Sequence, residues 1–589
     1  MDNTIIIDQN GKGHHKRHIP HVVNWILYVV ILAVIFWFML PPINLRSKDF
    51  WGFVTIALAI RFVMSAFSAI TTALRNASAR RNDQKGVFKK SDFSDFGKFS
   101  KAVGIIVIAL VVMMIIGSVI GCELFNASRY NKLLTYDNGD FGTDVAELSM
   151  NSIPVVDKDT AQRLSLRKLG EMDDLVSQFE ISEEFNTQIN YKNEPYRVTP
   201  LVYGDVFKWL NNQSDGIPAY IGVNMVTQET KLVRLKSGMK YSTSEYFMRY
   251  INRYLRFKYP TKIFDDLSFE IDDEGTPYWI ASTITYRIGL WDGRDVNGAV
   301  LVNAVTGESK YYDVKDIPSW VDQVYSSSMI IDQLTYNGKY KSGFFNSIFG
   351  QRGVLQPTDG YNYLAINDDV YLYTGITSVA SDQSNVGFVL VNLRTKETSY
   401  YTCPGAEEYS AMESAEGVVQ DLGYSSTFPL LLNVSDRPTY FVSLKDSAGL
   451  VKMYAFIDVQ QYQVVATGST IDEARESYAK KLKKEANVDI SGGGDDDKSS
   501  DKLTVTGNVS KISEAVVSSN TRYYIMLDGD DKVYMADVKI SNMLPFVQPG
   551  DTVTLTYKGD GKSVTVSKFE NGIAAQNAES GGDNSSAAD

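Results

Sequence analysis

The residue types that carry most enzyme chemistry are unevenly placed in this 589-residue chain. All four histidines, His14, His15, His18 and His21, precede residue 22. A base that titrates near neutral pH is most simply a histidine. Ser-His-Asp and Cys-His catalysis, and every His-ligated metal site, are therefore excluded from the rest of the chain. There are two cysteines, Cys122 and Cys403, far apart and one of them beside an apolar run, which excludes a disulfide framework. Cys403 has no neighbouring base and reads as a small buried hydrophobe. No glycine-rich phosphate-binding loop is present, so nucleotide-driven work is not expected and no cofactor is implied.

Carboxylates are what remains. Asp265-Asp266, Asp272-Asp273 and Glu407-Glu408 supply the residue types of a glycosidase acid and base. Adjacent residues on a strand point to opposite faces, so no such pair makes a site by itself, and solvated surface is the expected setting. Asp292-Gly293-Arg294-Asp295 and Asp528-Gly529-Asp530-Asp531 carry oxygens of the kind calcium prefers. Neither follows the twelve-residue loop pattern, and both fall where hairpin turns are expected. Trp279, Trp291, Trp320, Tyr371 and Tyr373 have faces that stack on sugars or peptides, and equally the shape that fills a pleated, half-buried surface. Arg61 lies inside an apolar run. An arginine at that depth costs a few kcal/mol unless it is paired or hydrated, which makes Arg61 the candidate intramembrane functional residue. The plainer reading is a contact with Ser or Thr of a neighbouring helix.

The elements that must hold these residues begin with three apolar segments, read as transmembrane helices over residues 22–40, 50–74 and 103–120. Pro41 and Pro42 end the first, and Trp25, Tyr28 and Trp37 sit near its ends as interface anchors do. The leader, residues 1–21, holds Lys12, Lys16 and Arg17. The loop 75–101 holds eight Lys/Arg against three acids. The positive-inside rule places both in the cytoplasm and residue 122 onward outside, giving a multi-pass protein of the cell membrane. The second span is needed for that balance, since without it the basic loop would lie outside. Residues 1–121 have a net charge of +8 and residues 122–589 a net of −20. The acidic part should repel nucleic acid, so the lipid bilayer and an envelope or cell-wall partner are expected instead. A large exported region with one internal cysteine points to a bacterial source.

Residues 122–487 read as α+β, mainly antiparallel β, and one phrase recurs: Val223-Asn224-Met225-Val226-Thr227, Val302-Asn303-Ala304-Val305-Thr306, Val391-Asn392-Leu393-Arg394-Thr395 and a degenerate Ile457-Asp458-Val459. Each leaves one strand, turns on a polar residue and enters another. Helical stretches such as 245–257 and 406–422 precede the strands, and an amphipathic helix over 471–484 closes the array. About four units of one plan are expected. The apolar-Asn/Asp-x-x-Thr-Gly-Glu hairpin, closest over Gly298–Glu308, resembles the PepSY repeat. That resemblance spans roughly residues 155–468 and implies an extracytoplasmic binding or modulatory module without catalytic residues. Asn stands for the usual Asp three times, and the Gly occurs once. Val119-Ile120-Gly121-Cys122 resembles the lipobox of bacterial lipoproteins, which would imply a lipidated Cys122. Here it closes a third span rather than a first, and a membrane-boundary cysteine is the plainer reading.

A flexible linker is expected over 488–502, then five short strands over 503–569, which look like an OB-fold barrel, then a disordered tail over 570–589. Seven Lys/Arg and seven Asp/Glu in the barrel give no footprint for a phosphate backbone. The reading that follows is a membrane-anchored extracytoplasmic binding or scaffold protein of the cell envelope without catalytic chemistry of its own. A carboxylate-dependent cell-wall glycan hydrolase and an accessory subunit of a membrane transporter stay open beside it.

Overall fold

The computed structural model describes residues 21–80, 98–147, 152–366, 368–379, 381–486, 503–517, 520–541, 543–558 and 562–571. The readings made on the leader, most of the basic loop, the linker and the tail fall outside the described residues. The chain divides into two compact units, Met1–Ser491 and Gly492–Asp589.

Helices α1 (His21–Met39), α2 (Lys48–Arg80) and α3 (Lys98–Gly121) contain the three apolar runs. Two stretches are long and apolar enough to cross a membrane, Lys48–Phe67 and Lys101–Gly121, whereas the apolar part of α1, Val23–Met39, is shorter. Pro41 and Pro42 stop α1 because neither can continue its hydrogen-bond ladder. The apolar part of α2 ends near Phe67, earlier than the expected span, but the helix runs on to Arg80. Its Ala, Leu and Arg residues are good helix formers and sustain it. The Tyr28 hydroxyl donates to the Ala57 carbonyl at 3.0 Å, fastening α1 to α2.

Beyond α3, the short helices α4 (Glu123–Asn131) and α5 (Phe141–Asp144) lead into four β-sheets. The first sheet holds five strands between Phe179 and Met239, after helix α6 (Lys158–Gly170), with α7 (Val206–Asn212) crossing between two of its strands. The second holds four strands between Phe264 and Asp313, after α8 (Ile251–Lys258). The third holds six, five of them between Leu355 and Ala406 after α9 (Ser327–Lys339), with Asp137–Asn138 added in parallel at its edge. The fourth holds five between Ser425 and Gly468, after α10 (Glu408–Val418). Helix α11 (Ile471–Lys481) packs against that last sheet, burying Ala474 and Tyr478. Apart from the edge strand Asp137–Asn138, strands within these sheets pair antiparallel.

The recurring phrase is one local structure made four times. The side-chain oxygen of Asn224 accepts from the Val226 and Thr227 amides, Asn303 from Val305 and Thr306, Asn392 from Arg394 and Thr395, and Asp458 from Gln460 and Gln461. Asn and Asp do this equally well, because either oxygen satisfies amides that the strand has left behind. In the first three units the residue before the Glu has a positive φ, at Gln228, Gly307 and Lys396. Glycine is the easy choice there, and a non-Gly residue in that region costs about 1 kcal/mol. The next carbonyl along each turn, on Met225, Ala304, Leu393 and Val459, accepts backbone amides from the segment that enters a unit's helix, as Leu393 does from Val324 and Tyr325. Turn and helix entry are thereby locked together in every unit.

Helix α8 and the second sheet's hairpin are also bound to ends of the apolar helices. Arg256 Nε donates to the Leu40 carbonyl at 2.8 Å, and the Arg253 guanidinium lies over the Trp37 ring at 4.0 Å. Two cations thus meet the carbonyl end of α1, where the helix dipole favours positive charge. The Ile43 amide donates to the Pro260 carbonyl at 2.7 Å. On α3, Gly117 and Gly121 are one turn apart, and a Cβ on either would collide with Trp291 or Asp292 of the second sheet's hairpin. Two glycines are what allow that hairpin to lie on the helix.

The second unit is a closed five-stranded barrel: Leu503–Val517, Asn520–Leu527, Val533–Asp537, Thr552–Lys558 and Ser563–Asn571. The strand order is first, second, third, fifth, fourth and back to the first, with the third and fifth parallel. The five strands expected from the sequence are there, and they enclose their own apolar core of Ile525, Tyr534, Leu544, Val553 and Leu555.

Candidate ligand-binding cavity

The first three sheets of the first unit and a loop of the fourth line one polar cavity of about 490 Å³. Binding sites form preferentially where packed units meet, and this is such a junction. The start of α6 brings Asp157 and Asp159. The first sheet brings Asn186, Gln188 and Arg197, the second Asp265 to Ser268, and the segment ahead of α9 Gln323 to Ser327. The third sheet adds Tyr363, with Tyr361 just before its strand, and the loop between the first two strands of the fourth adds Phe428.

Arg197 is the inner cation. It is 5% exposed, and its Nη1 donates to the Asn186 backbone carbonyl and side-chain oxygen at 3.2 and 3.1 Å. Its Nη2 donates to Gln188 Oε1 at 3.2 Å. The Nε proton has no acceptor, and none of the ion pairs among the described residues includes Arg197. Burial lowers its pKa from the ordinary arginine value, since water no longer stabilises the cation.

The outer wall is acidic. Glu184, Asp159 and Asp266 are exposed at the rim. Asp265 is half-buried, accepting from Ser326 Oγ at 3.0 Å and from Arg294 at 3.4 Å. Burial raises its pKa despite those donors. Burial would also raise Asp157, but the bonds from Lys445 at 2.7 Å and from the Thr160 amide outweigh it and hold that carboxyl below its ordinary range. Asp157 thus caps α6 and joins it to the fourth sheet.

Behind the cavity lies a carboxyl pair that sequence reading missed. Glu270 and Asp322 are both fully buried. Glu270 accepts from the Asp322 and Gln323 amides at 2.8 and 3.0 Å and from Ser268 Oγ at 2.9 Å. Asp322 Oδ2 accepts from the Asn190 amide at 2.7 Å, and its Oδ1 has no partner. Burial pushes Glu270 up to about 7. Burial and the neighbouring charge of Glu270 raise Asp322 as well. Expecting raised carboxyls only in adjacent pairs overlooked these two, which lie 52 residues apart. A signal was present, since Glu270 stands between two large apolar residues, Phe269 and Ile271, and all three are buried on their strand. No family model and no curated protein matches this chain.

The residues singled out from sequence have other places. Glu408 is fully buried rather than on a solvated surface, accepting from the Tyr373 hydroxyl at 2.7 Å and the Gly375 amide at 2.8 Å. Asp272 accepts turn amides from Glu274 and Thr276. Asp292 pairs with Lys48, Asp295 with Arg287 and Lys396, and Asp530 takes the Lys532 amide and the Tyr534 hydroxyl. Protein donors meet each of these carboxyls, and Asp292 Oδ2 is left without a partner. Trp279 and Tyr373 are core residues, Trp279 lying edge-on to Phe185 with ring centres 4.9 Å apart. Trp291 is buried against α3, and Trp320 packs on Tyr278 at 5.0 Å. Cys403 is buried, its thiol pushed up to about 11 by that burial. Arg61 lies over the Trp25 ring with its centre 4.8 Å away, so α1 supplies the face that holds it. Chemically, the cavity offers one fork of N–H donors, several hydroxyls and amides, three tyrosines and acidic edges. It has no thiol and no imidazole.

Proposed function

We propose that this chain is a membrane-anchored, extracytoplasmic binding or scaffold protein of the cell envelope, without catalytic chemistry of its own. The observation that carries the reading is the polar cavity, to which the second sheet contributes, together with the join of α8 and that same sheet to the ends of the apolar helices. In this reading α1, α2 and α3 all cross the bilayer, with the basic leader and loop in the cytoplasm. The four-fold hairpin turn supports the PepSY-like plan, and the strand order of the barrel supports the OB-like one. Exposed apolar side chains flank the helix ends as well. Phe247 lies beside α1, where Arg253 bridges the Phe247 and Trp37 carbonyls. Phe345 and Phe349 follow the Tyr130, Tyr336, Tyr340 and Phe344 ring cluster near the end of α3. Such residues suit the interfacial layer of a bilayer.

Two measurements test the reading. Protease added to intact spheroplasts should remove residues beyond about 122 and spare the leader, and full protection of the C-terminal bulk would overturn the orientation. The purified protein, incubated with peptidoglycan, glycans and ester substrates, should show no turnover. Turnover abolished by Asp265→Asn or Asp266→Asn would replace the binding reading with a carboxylate-dependent hydrolase.

A further inference from the structure

Arg197 is a buried cation whose partners are amides. Asn186 and Gln188 hold three of its N–H bonds and leave the Nε proton unmet. A buried charge without a counter-charge is costly, and a residue kept in that state is suited to receive the missing anion from a ligand. The pre-ordered fork favours a carboxylate, which it can grip with two parallel bonds.

The rest of the cavity narrows the ligand. Asp157 and Asp265 are paired with Lys445 and Arg294, which leaves the exposed acids Asp159, Glu184 and Asp266 against the cations Lys158 and Arg197. That excess of negative charge opposes a phosphate or a polyanion, and it attracts an ammonium group. Ser326, Ser327 and Asn362 add neutral hydrogen-bonding groups, and Tyr361 and Phe428 add apolar area.

Resting on the binding reading above, we infer that the cavity takes a zwitterionic ligand, a short peptide or amino acid whose free carboxylate sits on Arg197 and whose ammonium group faces the acidic rim. A cavity of about 490 Å³ holds a di- or tripeptide, in the size range of small-molecule sites. Recognition at the two ends also rejects the two half-ligands. An anion without an amine meets the acidic rim, and an amine without an anion leaves Arg197 unpaired.

The experiment is calorimetric titration of the full chain in detergent with lysyl-alanine, lysyl-alaninamide, N-acetyl-alanine and a neutral chitooligosaccharide. Lysyl-alanine should bind, with the amide and the acetylated anion each at least tenfold weaker. Arg197→Gln should abolish lysyl-alanine binding, and Arg197→Lys should weaken it because the fork is lost. Should the arginine variants misfold, the exposed rim change Asp266→Asn serves instead. It should weaken lysyl-alanine about two- to fivefold and leave N-acetyl-alanine no weaker, since one repelling charge of the rim is gone. Equal binding of acid and amide overturns the inference, as does no binding of any peptide. Binding of the chitooligosaccharide alone overturns the ligand class while leaving the binding protein standing.

Discussion

The Asp322 amide donates to Glu270 Oε2 at 2.8 Å, so the backbone of one buried acid holds the side chain of the other. Both carboxyls are at 0% exposure, and both are raised, by burial first and in Asp322 also by the charge of Glu270. The unfolded chain releases these protons near about pH 4, whereas the folded chain holds the Glu270 proton to about 7. Between those values the folded state carries more protons than the unfolded one. Stability therefore falls as pH rises through that window, by up to about 3 kcal/mol from Glu270. Glu270→Gln should remove most of that slope and be at least as stable as the parent at pH 8. Chemical denaturation at pH 5 and pH 8 measures it. An unchanged slope would place the pH dependence elsewhere.

Gly117 concerns the join between α3 and the second sheet. The Trp291 ring occupies the space a side chain would need there. Gly117→Val should therefore dislodge the hairpin and cost about 1–3 kcal/mol, the usual cost of overpacking. Gly52→Ala, where nothing lies within 4 Å, is the control and should be neutral or stabilising. Melting of both variants in detergent gives the comparison. The double variant Gly117→Val with Trp291→Ala should recover part of the loss, since the two changes share one space.

Phe349 is 82% exposed and Phe345 is 66% exposed, both in the segment after α9. If this edge rests in the interfacial layer, a spin label at Phe349→Cys in a Cys122→Ser background should be accessible to oxygen and shielded from a water-soluble nickel complex in proteoliposomes. The same label at Tyr462, on the turn before the last strand of the fourth sheet, should show the reverse. Equal accessibility at the two positions would detach the Phe345–Phe349 segment from the bilayer.

Periodicity and turn chemistry carried much of this fold into view. Asn224, Asn303, Asn392 and Asp458 were legible because each turn is local, made by one side chain and the amides two and three residues on. The barrel strands were legible for the same reason. Glu270 with Asp322, and Asp157 with Lys445, were not. They meet across segments far apart in the chain, and single-sequence periodicity says which face a residue takes but not what lies opposite. Glu408 misled for a related reason. As half of an acidic pair it looked solvated, yet Tyr373 and Gly375 on a strand of the third sheet supply its donors.

The barrel offers the cleanest test of autonomy. Its core of Ile525, Tyr534, Val553 and Leu555 draws on barrel strands alone. Closure depends on the long first strand, Leu503–Val517, which serves two neighbours. Leu503 to Asn508 pair with Tyr557 to Thr552 of the fourth strand, and Val509 to Val517 pair with the second. The register shift between Val509 and Lys511 lets one strand bend between both partners, as bulges do at barrel corners. A domain of about 70 residues buries only about 60% of the surface of its unfolded chain, so losing one seam should be decisive. The fragment 503–571 should show a β-type circular dichroism spectrum and one cooperative melt. A fragment starting at 509 loses every backbone bond between the first and fourth strands and should show no cooperative transition at 25 °C or above. If both fragments melt alike, the seam at Leu503–Asn508 contributes little and the barrel's stability lies in its other four pairings. If neither melts cooperatively, the core depends on the rest of the chain.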